Sequence, residues 1–345
     1  MVTRAHTGGS SAAAPLPDEP AHRRLRAAPP SAGGRSRAHR LLIRLGRRIL
    51  ALALAWLLAP AAQALDVALL LSSHQTPAYR TFAAELAAAT AGGAHHILPA
   101  GDLDAGIDTA MLAHADLIVA AGAPALAAAA RRGRPVLGVF VSRAQFDAVR
   151  SQAPEAALSA IVLDQPAARH LALARAVLPE ARRIGLLFGP DSAAQARLFA
   201  ELASADNPAV TLQPVSDPSE LQAVLERTLK AHDALLVLPD EWVSGPAAAR
   251  AVLLTSYRYR RPVLAYSRAY VEAGALAAVY SSSGDVARDV ADWLAQAPAP
   301  QQTLPPVRAP RYFSVAINQR VARALNVDAP NEAAVLDAIR LEERR

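Results

Sequence analysis

Residues 66–77 read Asp-Val-Ala-Leu-Leu-Leu-Ser-Ser-His-Gln-Thr-Pro, and this stretch shows the unit from which the fold is built. The apolar run Val67–Leu71 is continuous, which indicates a strand buried on both faces, as in a parallel sheet covered by helices. Small polar residues follow as a turn, and Pro77 stands where the first residue of a helix is expected. The stretch therefore predicts a strand, a turn and a helix in succession.

The same unit recurs along the chain. Five more apolar runs lead into Ala- and Leu-rich helical segments: Leu117–Ala121, Val136–Val141, Ile184–Phe188, Ala234–Leu238 and Val263–Tyr266. This alternation predicts an α/β protein of the doubly wound type. A seam near residue 162 separates two similar sets of units, so the sequence predicts two parallel-sheet lobes joined by a hinge.

The seam sets the expected boundaries of the lobes. The first lobe is predicted to span residues 65–162 and to be completed by residues 277–309. The second lobe is predicted to span residues 163–276 and to be completed by residues 310–327, after a Pro-rich stretch. Residues 328–345 are predicted to form a polar C-terminal tail that folds as a solvated helix.

The beginning of the chain indicates export. Residues 1–64 hold ten of the 36 basic residues but only two of the 30 acidic ones. A cationic stretch, the apolar run Ile49–Leu58 and an Ala-x-Ala site predict a signal peptide over residues 41–64, cleaved after Ala64. Residues 1–40 are predicted to be a disordered extension or the product of a start codon assigned too early. The protein is therefore expected in the periplasm.

Composition excludes several classes of function. Beyond residue 64 the chain carries 26 basic and 28 acidic groups, and this balance does not favour nucleic-acid binding. The absence of Cys excludes a disulfide framework, a thiolate metal site and a Cys nucleophile. The sequence contains no phosphate-binding loop, dinucleotide-binding turn or nucleophile elbow. We therefore predict no metal, no cofactor and no catalytic residue.

Candidate ligand contacts lie beyond the carboxyl ends of the strands, where helix N-termini present free N–H groups in parallel α/β folds. In the first lobe these candidates are Ser72, Ser73, Gly122, Ala123 and Ser142. In the second lobe they are Asp240, Trp242, Tyr266 and Tyr280. Hydroxyls, small residues and an acid on two facing lobes suit a small polar ligand such as an amino acid.

Each candidate has an alternative structural role. Asp240 follows a fully apolar strand and could accept the ammonium group of a ligand, or it could simply cap the next helix. Ser72 and Ser73 could be caps or turn residues. Trp242 and Tyr280 could stack on an apolar ligand group or pack in the core. We expect Ala substitutions at Asp240, Trp242 and Tyr280 to weaken ligand binding and to leave stability mostly intact.

The order and spacing of several short motifs resemble a known family. The motifs are Asp116-Leu-Ile-Val-Ala-Ala-Gly-Ala-Pro124, Leu163-Asp-Gln-Pro166, Asp233-Ala-Leu-Leu-Val-Leu-Pro-Asp240, Arg261-Pro-Val-Leu-Ala-Tyr-Ser267 and Gly274-Ala-Leu-Ala277. Over residues 66–326 the chain resembles the ABC-transporter substrate-binding proteins of periplasmic-binding-protein type I fold, which include tryptophan and tyrosine binders. The resemblance implies a two-lobed receptor, expected as a monomer, that closes on its ligand and presents it to a membrane permease.

One segment departs from the family pattern. Members that bind aromatic amino acids carry a Tyr-Gly-x-Asp-Tyr-Tyr-like segment where this chain has Val279–Asp285, so the resemblance leaves the ligand open. It places Asp240 at the acidic residue of the family's Pro-Thr-Asp-type turn. Two alternatives to a transport receptor stay open: a periplasmic sensory or accessory binding module on the same fold, and an exported α/β enzyme such as a hydrolase or transferase.

Overall fold

The structure is a computed structural model, and it describes residues 64–93, 95–202, 208–296 and 304–344. The predicted extension over residues 1–40 lies outside these residues, as does the predicted signal peptide except for Ala64. In this part of the chain no helix is both long and apolar enough to cross a membrane.

Six strands form the first sheet: β1 Asp66–Leu71, β2 His96–Asp102, β3 Gly106–Ile107, β4 Leu117–Ala121, β5 Val136–Val139 and β6 Leu158–Ile161. They lie in the order β3-β2-β1-β4-β5-β6. Neighbouring strands are parallel except for β3, which pairs antiparallel with β2. The first four helices belong to this lobe: α1 Pro77–Thr90, α2 Thr109–His114, α3 Ala123–Ala130 and α4 Arg143–Gln152.

Six more strands form the second sheet: β7 Arg183–Phe188, β8 Ala209–Pro214, β9 Ala234–Val237, β10 Val263–Ala265, β11 Ala277–Tyr280 and β12 Ser314–Ile317. Their order is β12-β11-β10-β9-β7-β8, and only the β11–β12 pair is antiparallel. The helices interleaved with them are α5 Ala167–Val177, α6 Ala193–Glu201, α7 Leu221–Ala231, α8 Glu241–Ser244, α9 Pro246–Arg258 and α10 Arg268–Ala273. A single 3₁₀ turn, Pro218–Glu220, precedes α7.

The apolar strands are buried on both faces, as the continuous runs predict. In β1, Val67 and Leu69 contribute to one core cluster, while Ala68 and Leu70 contribute to the cluster on the opposite face of the sheet. Every residue of β4 is at most 1% exposed. The predicted α/β fold with two lobes is confirmed, with one antiparallel edge strand added to each parallel sheet.

The chain crosses between the lobes three times, and one predicted boundary is corrected here. Residues 277–309 were expected to complete the first lobe, but β11 pairs with β10 and so belongs to the second sheet. The chain returns to the first lobe at α11, Ser283–Gln296, whose Val286 and Val290 pack in the core of the first lobe. Further on, Arg308 bridges to the edge of the first sheet at Ile161.

The C-terminal residues form a helix, as predicted, but this helix is partly buried rather than fully solvated. After β12 the chain forms α12, Gln319–Leu325, and then α13, Glu332–Glu343. Helix α13 buries Val335 and Ile339 in the core of the second lobe. Charged residues surround this narrow apolar stripe, so the segment looks fully solvated when the sequence is read alone.

Candidate functional site

A cavity of about 720 Å³ lies between the two lobes. The first lobe lines it with Phe140, Ser142, Ala144, Gln145, Ala148 and Leu163. The second lobe lines it with Asp191, Pro239, Asp240, Glu241, Ser244, Gly245, Pro246, Tyr266, Ser267, Tyr280 and Ser281. These residues follow the carboxyl ends of β5, β6, β7, β9, β10 and β11, the position at which parallel α/β sheets bind ligands.

The structure brings some of the predicted contacts to this cavity and leaves others away from it. The candidates that line it are Ser142, Asp240, Tyr266 and Tyr280. The candidates outside its lining are Ser72, Ser73, Gly122, Ala123 and Trp242. The side chain of Trp242 packs against the core of the second lobe instead, and Ala123 is the first residue of α3.

The residues that follow β1 and β4 form hydrogen bonds with one another and do not line the cavity. Ser72 Oγ donates to the carbonyl of Ala121 at 2.8 Å and accepts the amide of Ala125 at 3.0 Å. Gly122 has φ 93°, and a Cβ at this position would lie 2.5 Å from Ser72 Oγ, so only glycine fits. Ser73 Oγ accepts the amide of Gln75, as expected of a turn residue. We call Ser72, Gly122 and Ala125 the first-lobe cluster.

Asp240 forms a denser cluster in the second lobe. Its Oδ2 accepts the amide of Gly189 at 3.0 Å and both the amide and the hydroxyl of Ser192 at 2.9 Å. Its Oδ1 accepts the amide of Trp242 at 2.9 Å. We call these four residues the Asp240 cluster. The capping role is therefore present, and binding of a ligand ammonium by Asp240 stays a prediction.

Two further acids line the cavity beside Asp240. Asp191 and Glu241 are both exposed, and the amide of Glu241 donates to Asp191 Oδ2 at 3.3 Å. Among the described residues neither carboxylate forms a salt bridge. Both lie in turns that the sequence places at the carboxyl ends of apolar strands, but neither is among the contacts predicted above.

Two tyrosines complete the wall of the second lobe. Burial raises the pKa of Tyr266, a hydrogen bond with Ser244 opposes that rise, and the charges of Glu241 and Asp240 add to it. The hydroxyl of Tyr280 accepts a hydrogen bond from Nε of Arg268 at 2.7 Å. Arg268 therefore positions the hydroxyl of Tyr280, and Arg268 itself is not part of the cavity lining.

Phe140 is the main residue of the first wall that the sequence did not reveal. Its φ of 55° lies in the left-handed region, which is unusual for a bulky side chain. The ring makes edge contacts with Tyr79 and Phe82, at centroid distances of 5.5 Å and 5.2 Å. The sequence predicts the run Val136–Val141 as one strand, whereas the strand ends at Val139, and the apolar composition gives no sign of this break.

Helix α4 begins at the cavity with a capping box. Ser142 Oγ accepts the amide of Gln145 at 3.1 Å, and Gln145 Oε1 accepts the amide of Ser142 at 3.0 Å. The hydroxyl of Ser142 acts as an acceptor in this box and can still donate. The first wall therefore offers a hydroxyl, an amide side chain and a helix N-terminus.

The three crossings between the lobes form the hinge, and they are linked by hydrogen bonds. Gln165 Nε2 donates to Ser281 Oγ at 3.0 Å, and Ser281 Oγ donates to the carbonyl of Tyr312 at 2.7 Å. These three residues come from the first, second and third crossing in turn. Since Ser281 also lines the cavity, the hinge lies at one edge of the candidate site.

Two α/β lobes, a hinge of three crossings and a cavity between the lobes define a protein of the periplasmic-binding-protein type I class. A family model described as ABC transporter substrate binding protein matches residues 111–338. The chain therefore belongs to the family of ABC transporter substrate-binding proteins. No curated protein matches it by sequence.

Three solved structures are similar to this chain. A conserved domain protein from Vibrio cholerae O1 biovar El Tor has 17% identity and a TM-score of 0.53, with 80% of this chain and 98% of that one covered. An ABC domain from Streptococcus pneumoniae in complex with L-Trp has 19% identity and a TM-score of 0.53, covering 79% and 98%. The ligand-free, open structure of a substrate-binding protein with adhesive properties from Clostridium difficile has 18% identity and a TM-score of 0.60, covering 77% and 96%. At these identities the likeness shows the fold.

Proposed function

We propose that this protein is an exported solute receptor that captures a small ligand between its lobes and delivers it to an ABC permease. The cavity between the lobes carries this proposal, because both lobes contribute to its walls. Its volume of about 720 Å³ falls in the range of small-molecule sites. Rotation of the lobes about the hinge would bring the two walls together around the ligand.

The chemistry of the walls supports a ligand that carries an ammonium group, and amino acids are the first class to consider. Asp191 and Glu241 can accept hydrogen bonds from an ammonium. The N-termini of α4 and α9, capped by Ser142 and Gly245, lie at the cavity and favour a carboxylate. The rings of the cavity can cover an apolar group.

We propose binding without turnover, because the family is one of binding proteins. The protein would act as a monomer, with a permease as its partner and no contact with nucleic acid. Ligand extracted from the purified protein by heat would have the same mass as the ligand supplied. Recovery of a cleaved or modified compound would favour the exported-enzyme alternative instead.

The proposal includes export to the periplasm and cleavage after Ala64. Cell fractionation followed by N-terminal sequencing tests this directly, with a mature chain beginning at Leu65 as the expected result. A cytoplasmic chain beginning at Met1 would contradict the proposed localisation.

A thermal-shift screen of the purified protein with amino acids, sugars and small carboxylates tests ligand capture. A ligand present at 100 times its Kd stabilises the protein by about 2.7 kcal/mol, which raises the melting temperature measurably. Ala148→Trp places a bulky ring in the cavity from α4, where it obstructs the ligand, and should abolish the shift. Ala88→Trp, at an exposed position on α1 away from the cavity, is the matched control and should retain it. A shift that survives Ala148→Trp would refute the proposed site.

A further inference from the structure

We propose, on the basis of the function above, that the ligand is an organic cation, with at least one ammonium or guanidinium group not balanced by a carboxylate. The charge of the cavity motivates this inference. Its lining contains Asp191, Asp240 and Glu241 and no Lys, Arg or His. A neutral amino acid brings one ammonium and one carboxylate, and so leaves this excess of negative charge in place.

The opposite wall supplies no counter-ion. It presents Phe140, Ser142, Gln145 and the apolar residues around them, and none of these side chains carries a charge. When the lobes close, the acids of the second lobe lose water, and a carboxylate that loses water without a partner is strongly disfavoured. Closure is most favourable when the ligand itself brings a positive charge to these acids.

The acids divide into one that is already satisfied and two that are not. The Asp240 carboxylate accepts four hydrogen bonds within its cluster, three at Oδ2 and one at Oδ1, which use most of its accepting capacity. Asp191 receives one amide hydrogen bond, and among the described residues no donor reaches the Glu241 carboxylate. Asp191 and Glu241 are therefore the acceptors left for a cationic ligand.

Aromatic side chains on both walls supply a second, independent argument. Tyr266 and Tyr280 line the cavity from the second lobe, and Phe140 lines it from the first. Cations are attracted to the faces of such rings, most strongly where water is excluded. Phe140 is kept on this wall at φ 55°, and backbone strain of this kind is concentrated at functional sites.

Isothermal titration calorimetry with pairs of probes that match in shape and differ in charge tests the inference. The pairs are L-arginine with L-citrulline, choline with 3,3-dimethylbutanol, and putrescine with 1,4-butanediol; L-tryptophan, D-allose and succinate complete the panel. We expect at least one cation to bind at least 100-fold more tightly than its neutral partner, and its affinity to fall as salt rises. The arginine arm tests a cation with an α-carboxylate, and the other two test cations without one.

Variants of the two free acids locate the charge. Glu241→Gln and Asp191→Asn should each weaken binding of that cation at least tenfold while the melting temperature of the free protein is unchanged. Glu180→Gln, at an exposed acid of the same lobe outside the cavity lining, is the control and should bind as the parent does.

The outcomes separate this inference from the proposed function. Equal binding of a cation and its neutral partner, or tight binding of L-tryptophan, D-allose or succinate that Glu241→Gln does not alter, overturns the inference and leaves capture between the lobes intact. Cation binding that survives Ala148→Trp overturns both, because the ligand then lies outside the cavity. Absence of binding across the whole panel also counts against both.

Discussion

The first-lobe cluster and the Asp240 cluster close the strand ends of the two lobes in similar ways but with different consequences. In each, a polar side chain after a strand accepts an amide at a helix start or turn, and a glycine lets the backbone approach. Ser72 is neutral and lies outside the cavity lining. Asp240 is charged and lines the cavity while only 6% exposed.

The comparison of the two clusters shows that a polar residue after a strand is not by itself a ligand contact. At Ser72 and at Asp240 the polar atoms are occupied by the protein itself, so both residues stabilise the strand ends. The acceptors that we propose for a ligand, Asp191 and Glu241, stand beside the Asp240 cluster in the same turns. Substitutions in the two clusters and in the cavity separate residues that stabilise the fold from residues that bind the ligand.

The largest effect is expected at Asp240. Asp240→Ala leaves the donors of Gly189, Ser192 and Trp242 without an acceptor in a buried position. Because each buried donor left without an acceptor costs about 1–3 kcal/mol, the free energy of unfolding should fall by about 3 kcal/mol or more, measured by urea denaturation. This replaces the sequence-based expectation of intact stability. A loss below about 1 kcal/mol would show that the cluster contributes little.

Acid should destabilise the second lobe through His170. Burial, with a smaller effect from Arg169, lowers the pKa of this core histidine to about 4 from its usual 6.5, so the unfolded chain takes up a proton first as pH falls. Stability is therefore lost between about pH 6.5 and pH 4, by up to about 3 kcal/mol.

Urea denaturation at pH 7 and pH 4 measures this loss, and His170→Leu removes the group. The variant should lose less stability on acidification than the parent does. An equal loss in both proteins would assign the acid sensitivity to other groups.

A smaller effect is expected in the first-lobe cluster. Ser72→Ala removes one acceptor for the Ala125 amide and one donor to Ala121, both neutral. The free energy of unfolding should fall by about 1–2 kcal/mol, and ligand affinity should be unchanged within error. A tenfold loss of affinity measured by calorimetry would instead show that Ser72 contributes to ligand binding.

The smallest effect is expected at Tyr280. Tyr280→Phe keeps the ring at the cavity and removes only the partly exposed hydrogen bond with Arg268. Stability should change by about 0.5–1 kcal/mol, and affinity should fall less than threefold. Tyr280→Ala removes the ring as well and should weaken binding more. Equal affinities for the two variants would exclude a role for the ring.

Much of the fold is predictable because its central strands are buried on both faces. Runs such as Leu117–Ala121 and Ala234–Leu238 have no polar residue, and burial is the only environment that suits them. Among the strands that the sequence does not predict, β2 and β8 lie toward the sheet edges, are partly exposed and contain Pro. Their mixed sequences resemble loops when read alone.

The candidate site was predictable on one wall more than on the other. Ligands are expected beyond the carboxyl ends of parallel strands, and this expectation selects Asp240, Tyr266 and Tyr280, which stand at strand ends that face the cavity. The same expectation selects Ser72 and Gly122, whose polar atoms and close contacts are used within the first-lobe cluster. Which strand ends stay open depends on side chains packed across the sheet, and local sequence does not contain that information.

The central claim is that a ligand is held between the lobes, and the distance between the lobes tests it most directly. The chain has no Cys, so Asp147→Cys on α4 and Arg250→Cys on α9 provide exposed labelling sites, one on each lobe. Pulsed electron–electron double resonance would then measure the distance between the two spin labels in the presence of each probe of the calorimetric panel. The account predicts a shorter distance with every probe that binds, and the loss of that change in the Ala148→Trp background. A probe that binds by calorimetry and leaves the distance unchanged would contradict it.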